Sequence, residues 1–171
     1  MSKKIVFISG VSGVGKTTIC KYINDNHLLD QYMTIDIDEL ENINDYHESN
    51  YHIFYENAIK KAIDISSEKN IILASCINPT DFYKINILKR IDTCINILIT
   101  CSREELENRL KQRESSRNCS DDEFIKGQIE YQNYMLKHLD LYHLHLDNTN
   151  NSIETISNQI VKYINENLEL N

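Results

Sequence analysis

Eight residues near the N-terminus, Gly10-Val11-Ser12-Gly13-Val14-Gly15-Lys16-Thr17, constrain the fold of this chain more than any other stretch. They read G-x-x-x-x-G-K-T and hold three of the chain's four glycines. The apolar run Ile5-Val6-Phe7-Ile8 precedes them as a buried strand would, and a helical pattern opens near Gly15. Strand, glycine-rich turn and helix in that order form a cradle for phosphate, the P-loop. Glycine admits positive φ and a close backbone approach. Successive N–H groups then converge on one anion at a helix N-terminus. In such a loop Lys16 reaches the β and γ phosphates as a point charge, and the Thr17 hydroxyl ligates Mg²⁺. Thr18, next in the first helical turn, belongs to the same nucleotide-binding set. A glycine turn that merely fits the pattern would leave the flanking strand and helix as coincidence.

A chain of 171 residues suits one domain spanning 1–171. No apolar run approaches the roughly 20 residues of a membrane span. The basic start Met1-Ser2-Lys3-Lys4 leads straight into the P-loop rather than into a signal-peptide core, so the expected location is cytoplasmic. The five cysteines form no C-x-x-C pair and are odd in number, which points to free thiols. A net charge of −8 argues against a general nucleic-acid surface, because such affinity rests on neutralising phosphates. Yet four of the five arginines (Arg103, Arg109, Arg113 and Arg117) fall within fifteen residues, as if gathered onto a local anion.

Short apolar runs alternate with amphipathic segments, the pattern of a parallel sheet covered by helices. The runs are Ile5–Ile8, Met33–Ile37, Ile71–Ala74, Ile95–Ile99 and Leu141–Leu146, the last alternating with His143 and His145 as an edge strand does. Helices are expected from Thr17 to Asn26, from Asn50 to Ser66 (with Phe54, Ala58, Ala62 and Ile65 on one face), after Asn78-Pro79, after the capping boxes at Ser102 and Ser120, and from Ser152 to Asn167. The fold class is α/β: a three-layer α/β/α sandwich around a five-stranded parallel sheet, with its ligand at the C-terminal strand ends. A small lid is expected at about residues 113–121.

Asp36 and Asp38 end the second strand, where alternation puts both side chains on one face, toward the phosphate site. One carboxylate would hold a Mg²⁺-bound water; the other would accept a proton or a hydrogen bond from an acceptor hydroxyl. The competing role is to cap the next helix. Tyr46-His47, Tyr51-His52 and Tyr55 either hold a base or sugar or simply cover a helix surface. After the third strand Ser75, Cys76 and Asn78 stand where many P-loop enzymes carry an acid, leaving Ser75 or Asp36 for the metal water. Arg109 and Arg113, four apart, share a helix face. With Arg117 in the loop beyond they either clamp a transferring phosphoryl or form a solvated charge run beside Glu104, Glu105, Glu107 and Lys111. His138, His143 and His145 lack convincing zinc spacing.

Taken together, the P-loop, the D-x-D at Asp36 and Asp38, the R-x-x-x-R at Arg109 and Arg113, and Asp147-Asn148-Thr149 after the last strand resemble the small P-loop kinases of the nucleoside monophosphate kinase and shikimate kinase type. The resemblance covers nearly the whole length. It implies that Arg109 lies against the adenine of ATP, that Arg113 acts on the phosphates, and that residues 147–149 border the adenine. The chain departs from shikimate kinases in lacking their glycine triplet after the third strand, where Ala74-Ser75-Cys76-Ile77-Asn78-Pro79 stands. It also lacks any arginine between Thr17 and Lys89, which adenylate kinases use on the acceptor phosphate. The expected activity is an ATP- and Mg²⁺-dependent transfer to a small-molecule hydroxyl or nucleotide, with nucleic acid disfavoured and no membrane partner. The rivals are a nucleotide-dependent binding module and a nucleic-acid 5′-hydroxyl kinase.

Overall fold

A strand buried on both faces needs apolar residues at every position, and Lys4–Ser9 (β1) meets that need: Ile5, Val6, Phe7 and Ile8 are each at most 1% exposed. In the computed structural model, which describes residues 3–113 and 121–168, β1 is the central strand of a parallel sheet. Its companions are β2 (Tyr32–Asp36), β3 (Asn70–Ser75), β4 (Thr93–Thr100) and β5 (Leu144–Asp147), in the order β2-β3-β1-β4-β5. Phe7 pairs with Leu73 on one side and with Asn96 on the other, which fixes the register. The helices are α1 (Lys16–Asp25), α2 (Tyr51–Ile65), α3 (Pro79–Phe82), α4 (Arg103–Lys111), α5 (Asp122–Leu136) and α6 (Ile153–Leu168).

The period-2 alternation of β1 sorts these helices into two layers. Val6 and Ile8 pack with Ile19 and Ile23 of α1, Leu106 and Leu110 of α4, and Ile156, Ile160 and Ile164 of α6. Ile5 and Phe7 face the other way, onto Phe54, Ala58 and Ala62 of α2 and Phe82 of α3. The expected three-layer sandwich is therefore present, with one apolar core on each side of the sheet.

Several local expectations need correction. The last strand begins at Leu144, because Leu139–Leu141 closes into a 3-10 turn. The strand is an edge strand as expected, and two histidines fasten it: His143 Nδ1 accepts the Asn96 N–H at 3.0 Å, and His145 Nε2 lies 2.8 Å from the Thr100 hydroxyl. Ile65 does not join the α2 stripe and is 51% exposed, since it occupies the final helical position. Asn78 caps α3 with Pro79 at its first position. Ser102 caps α4 by accepting the Glu105 N–H at 3.2 Å, but the Glu105 carboxylate turns to Arg109 instead of back to the cap. Asp121 caps α5; the Ser120 cap, Cys119 and Arg117 lie outside the described residues, as does all of the expected lid except Arg113 and Asp121. Cys20, Cys76, Cys94 and Cys101 are free thiols, and burial pushes Cys20 and Cys94 up to about 12. No helix among the described residues is long and apolar enough to cross a membrane.

Phe7 is fully buried and meets Phe82 edge-on, with ring centroids 5.2 Å apart. Truncating it in this layer, Phe7→Ala, should cost about 3–5 kcal/mol of unfolding free energy. Urea melts followed by circular dichroism would measure the loss.

Candidate active site

The C-terminal ends of β1, β3 and β4 converge where connections leave the sheet in opposite directions, the usual ligand position in open parallel sheets. The P-loop leaves β1 there. Gly10 has φ +153°, and a Cβ on it would collide with the Ile99 carbonyl of β4. Gly15, the N-cap of α1, has φ +102°, and its Cβ would sit 3.0 Å from Asn148 Nδ2. Both positions need glycine, one for closeness to β4 and the other for a left-handed turn into the helix.

Side chains from distant elements hold this backbone. Gln128 of α5 accepts the Ser12 N–H on its Oε1 at 2.9 Å. Asn148 donates from Nδ2 to the Val14 carbonyl at 2.8 Å, and its own N–H donates to the Thr100 carbonyl at 2.7 Å. Arg109 donates to the Glu105 carboxylate at 2.7 Å, to the Asn148 carbonyl at 2.9 Å and to the Val14 carbonyl at 3.4 Å. Thr149 turns back to the Asp147 carboxylate, and its Oγ1 accepts the Ser102 N–H at 2.7 Å. Arg109 and residues 147–149 thus form one structure beside the P-loop. Arg113 differs from expectation: α4 ends at Lys111, so Arg113 lies beyond the helix it was assigned to. It nonetheless lines the phosphate cavity, because the turn after α4 folds back, with the Arg113 N–H donating to the Leu110 carbonyl at 3.2 Å.

That cavity, about 150 Å³, is lined by Ser12, Gly13, Gly15, Lys16, Thr17 and Thr18 of the P-loop, and by Asp36, Asp38, Ser75, Cys76 and Arg113. The Lys16 ammonium donates to the Gly10 and Val11 carbonyls at 2.8 and 3.0 Å and lies 3.4 Å from Cys76 Sγ. It sits inside the loop, on the wall of the cavity. The Thr17 hydroxyl donates to Asp36 Oδ2 at 2.8 Å. Ser75, the other metal-water candidate, is 1% exposed, and its Oγ lies 3.5 Å from the Ile77 N–H. No group of three or more His, Cys, Asp or Glu among the described residues could hold a metal. The Thr17–Asp36 pair still fits Mg²⁺, which takes oxygen ligands and keeps water and phosphate in most positions.

The two aspartates do not share a strand face. The strand β2 ends at Asp36, and Asp38 lies in the 3-10 turn Ile37–Glu39. Asp36 also caps that turn, its Oδ1 accepting the Asp38 N–H at 3.2 Å, so the capping role and the cleft position coincide in one residue. The Asp38 carboxylate makes no hydrogen bond among the described residues. Much of its surface is open to solvent, but the surrounding cleft walls and then the Asp36 charge raise its pKa above the ordinary aspartate value, with Lys16 opposing.

A second cavity, about 610 Å³, opens on the other side of Asp38. Ser12, Asp38 and Cys76 line both cavities, so the two meet there. Tyr51 and Tyr55, flagged in the sequence, line it, whereas Tyr46 turns to Glu41 and Asn57. Glu48, Asp81, Gln128 and Tyr131 also line it and escaped sequence reading. Gln128 and Tyr131 sit three apart on α5, far along the chain, and nothing local marks them as cleft residues. Tyr131 donates from its hydroxyl to the Cys76 carbonyl at 2.9 Å.

Fold and site together define a P-loop domain: a parallel sheet with a phosphate-type loop and a cavity at its C-terminal edge, in a fold shared with small-molecule kinases. The family model described as an AAA domain matches residues 6–130, and the chain belongs to that family. No curated protein matches the sequence. Among solved structures it is similar to the shikimate kinase of Acinetobacter baumannii in complex with shikimate (15% identity, TM-score 0.67, covering 98% of this chain and 96% of that one). It is likewise similar to a gluconokinase from Sinorhizobium meliloti 1021 (16% identity, TM-score 0.62, 99% and 97% covered). A sugar kinase from Janibacter sp. HTCC2649 shows 15% identity and a TM-score of 0.69, with 95% of each chain covered. At these identities the likeness establishes the fold.

Because the folded pKa of Asp38 is raised, its ionisation costs stability at neutral pH, and the folded state is relatively favoured when the group is protonated. Asp38→Asn should therefore melt above the wild type at pH 7. The gap should close as pH falls below the ordinary aspartate value of 3.8, where both states of the wild type carry the proton. Thermal melts of the two proteins across pH would measure it.

Proposed function

We propose that this protein transfers the γ-phosphoryl group of ATP to a hydroxyl of a small molecule, with Mg²⁺ required. The observation that carries the reading is the position of Asp38: an aspartate free of hydrogen bonds where the P-loop cavity meets a larger cavity of about 610 Å³. The phosphate side supplies what phosphoryl transfer needs, and the other side has room for an acceptor. A nucleotide-dependent binding module would need no such second cavity beside the aspartates.

We assign the roles as follows, with the adenine position taken from the family resemblance. P-loop amides and Lys16 hold the β and γ phosphates, with ATP's adenine between Arg109 and residues 147–149. Thr17 and Asp36 would hold Mg²⁺, which neutralises phosphate charge when bound. Asp36 is engaged by Thr17 and by the Asp38 N–H, which leaves Asp38 as the group to receive the acceptor's proton. Its raised pKa brings it nearer the working range of a general base. The acceptor oxygen forms a bond to Pγ as the bond from Pγ to the bridging oxygen breaks; ADP departs with that electron pair, and the proton goes to Asp38. Arg113, on the cavity wall, stabilises charge on the transferring group.

Lys16→Ala should abolish transfer in a coupled ADP-release assay with Mg·ATP. Asp38→Asn should lower kcat by about 10²–10⁴-fold and leave ATP affinity nearly unchanged. Full turnover in either variant would remove the assignment.

A further inference from the structure

The larger cavity has a chemical character of its own. Three carboxylates line it (Asp38, Glu48 and Asp81), together with the rings of Tyr51, Tyr55 and Tyr131. No lysine or arginine is among its described lining residues. Asp81 is partly neutralised by Lys84, 2.7 Å away and outside the lining. Glu48 has no ion-pair partner among the described residues. Among the described residues the cavity therefore carries an unpaired Glu48 charge beside Asp38, which Lys16 influences, and Asp81, which Lys84 pairs, all next to electron-rich ring faces.

Tyr55 supplies a separate sign that a polar ligand belongs there. It is only 5% exposed, lines the cavity, and its hydroxyl makes no hydrogen bond among the described residues. Burial, then the nearby Tyr131, Cys76, Asp38 and Asp81, raises its pKa well above that of a free tyrosine, so it is a hydroxyl donor and not a phenolate. A ligand oxygen in the cavity would accept from it.

Anionic acceptors fit this lining poorly. A carboxylate or phosphate would be placed against Glu48 and Asp38, with no guanidinium among the cavity's described lining residues to receive it. An ammonium group finds both carboxylates and tyrosine faces, the combination that binds organic cations. Resting on the kinase reading for the identity of the reacting hydroxyl, we propose that the acceptor is a hydroxyl compound bearing a protonated amine. Its ammonium lies against Glu48, Asp81 and the tyrosine rings, and its hydroxyls meet Tyr55 and Asp38. This departs from the two neighbours whose names carry acids, shikimate kinase and gluconokinase, and it follows from the side chains on this chain's cavity wall.

Two matched charge series test the inference by binding, separately from turnover. Glucosamine, glucose and gluconate form one; 2-deoxystreptamine, myo-inositol and shikimate form the other. Titration calorimetry on the full chain with saturating Mg·ADP would give Kd for each. In at least one series the cation should bind tenfold or more tighter than its anionic counterpart. Glu48→Gln should cut the cation's advantage over the neutral analogue by about three- to tenfold, and Glu48→Lys should reverse the preference toward the anion. Absence of a cation preference in both series, or a preference unmoved by Glu48→Lys, overturns the inference. ADP release from Mg·ATP then separates the two readings. A bound amine that is never phosphorylated upholds the charge assignment and removes the kinase; phosphorylation of the acids alone upholds the kinase and removes the charge assignment.

Discussion

The Val14 carbonyl is where the phosphate loop is fastened to the rest of the molecule. Asn148, from the turn after β5, donates to it at 2.8 Å, and Arg109 of α4 reaches it at 3.4 Å while bonding the Asn148 carbonyl at 2.9 Å. Gly10, Gly13 and Gly15 hold backbone conformations with positive φ, which a free glycine-rich chain would exchange for many others. The contacts from Asn148, Arg109 and Gln128 remove that freedom in advance, so a phosphate would meet amides already aimed at it. Preorganisation of this kind is where phosphoryl-transfer sites gain most of their advantage.

The two cavities divide the chemistry. On the phosphate side, positive charge from Lys16 and Arg113 stands with loop amides; on the far side, carboxylates and tyrosines face an open space. Asp36 and Asp38 occupy the boundary, and their unequal engagement distinguishes them. Asp36 accepts from Thr17 and from the Asp38 N–H, so its orientation is locked. Asp38 is left without such bonds and with a raised pKa, in part because Asp36 is charged beside it. Two like residues separated by one position acquire different properties from their surroundings alone.

Local patterns made much of this legible. The P-loop, the first four apolar runs and the caps at Asn78 and Ser102 are short-range features, and each appears where the chain implied it, whereas the fifth strand starts three residues late. Errors arose where a local rule met a tertiary contact. Glu105 has the spacing of a capping box, yet its carboxylate pairs with Arg109, which needs that partner while bridging to Val14 and Asn148. Arg113 has the spacing of a helix-face partner to Arg109, yet α4 stops at Lys111. Asp38 has the spacing of a strand-face partner to Asp36, yet Asp36 ends the strand by capping the next turn. Periodicity predicts facing only as long as the element continues.

By itself the sequence determined the sheet-and-helix alternation and the presence of a phosphate loop at the end of the first strand. Both are written in contiguous residues: a buried parallel strand must be apolar throughout, and a loop that wraps phosphate must be glycine-rich. The composition of the second cavity was decided only in three dimensions. Glu48 and Tyr55 come from around α2, Asp81 from α3, and Gln128 and Tyr131 from α5. Their approach depends on α2 and α3 packing on one face of the sheet and α5 on the other, with side chains meeting beyond its C-terminal edge. Such a meeting leaves no pattern along the chain, because residues that touch only through the fold need no fixed spacing in sequence.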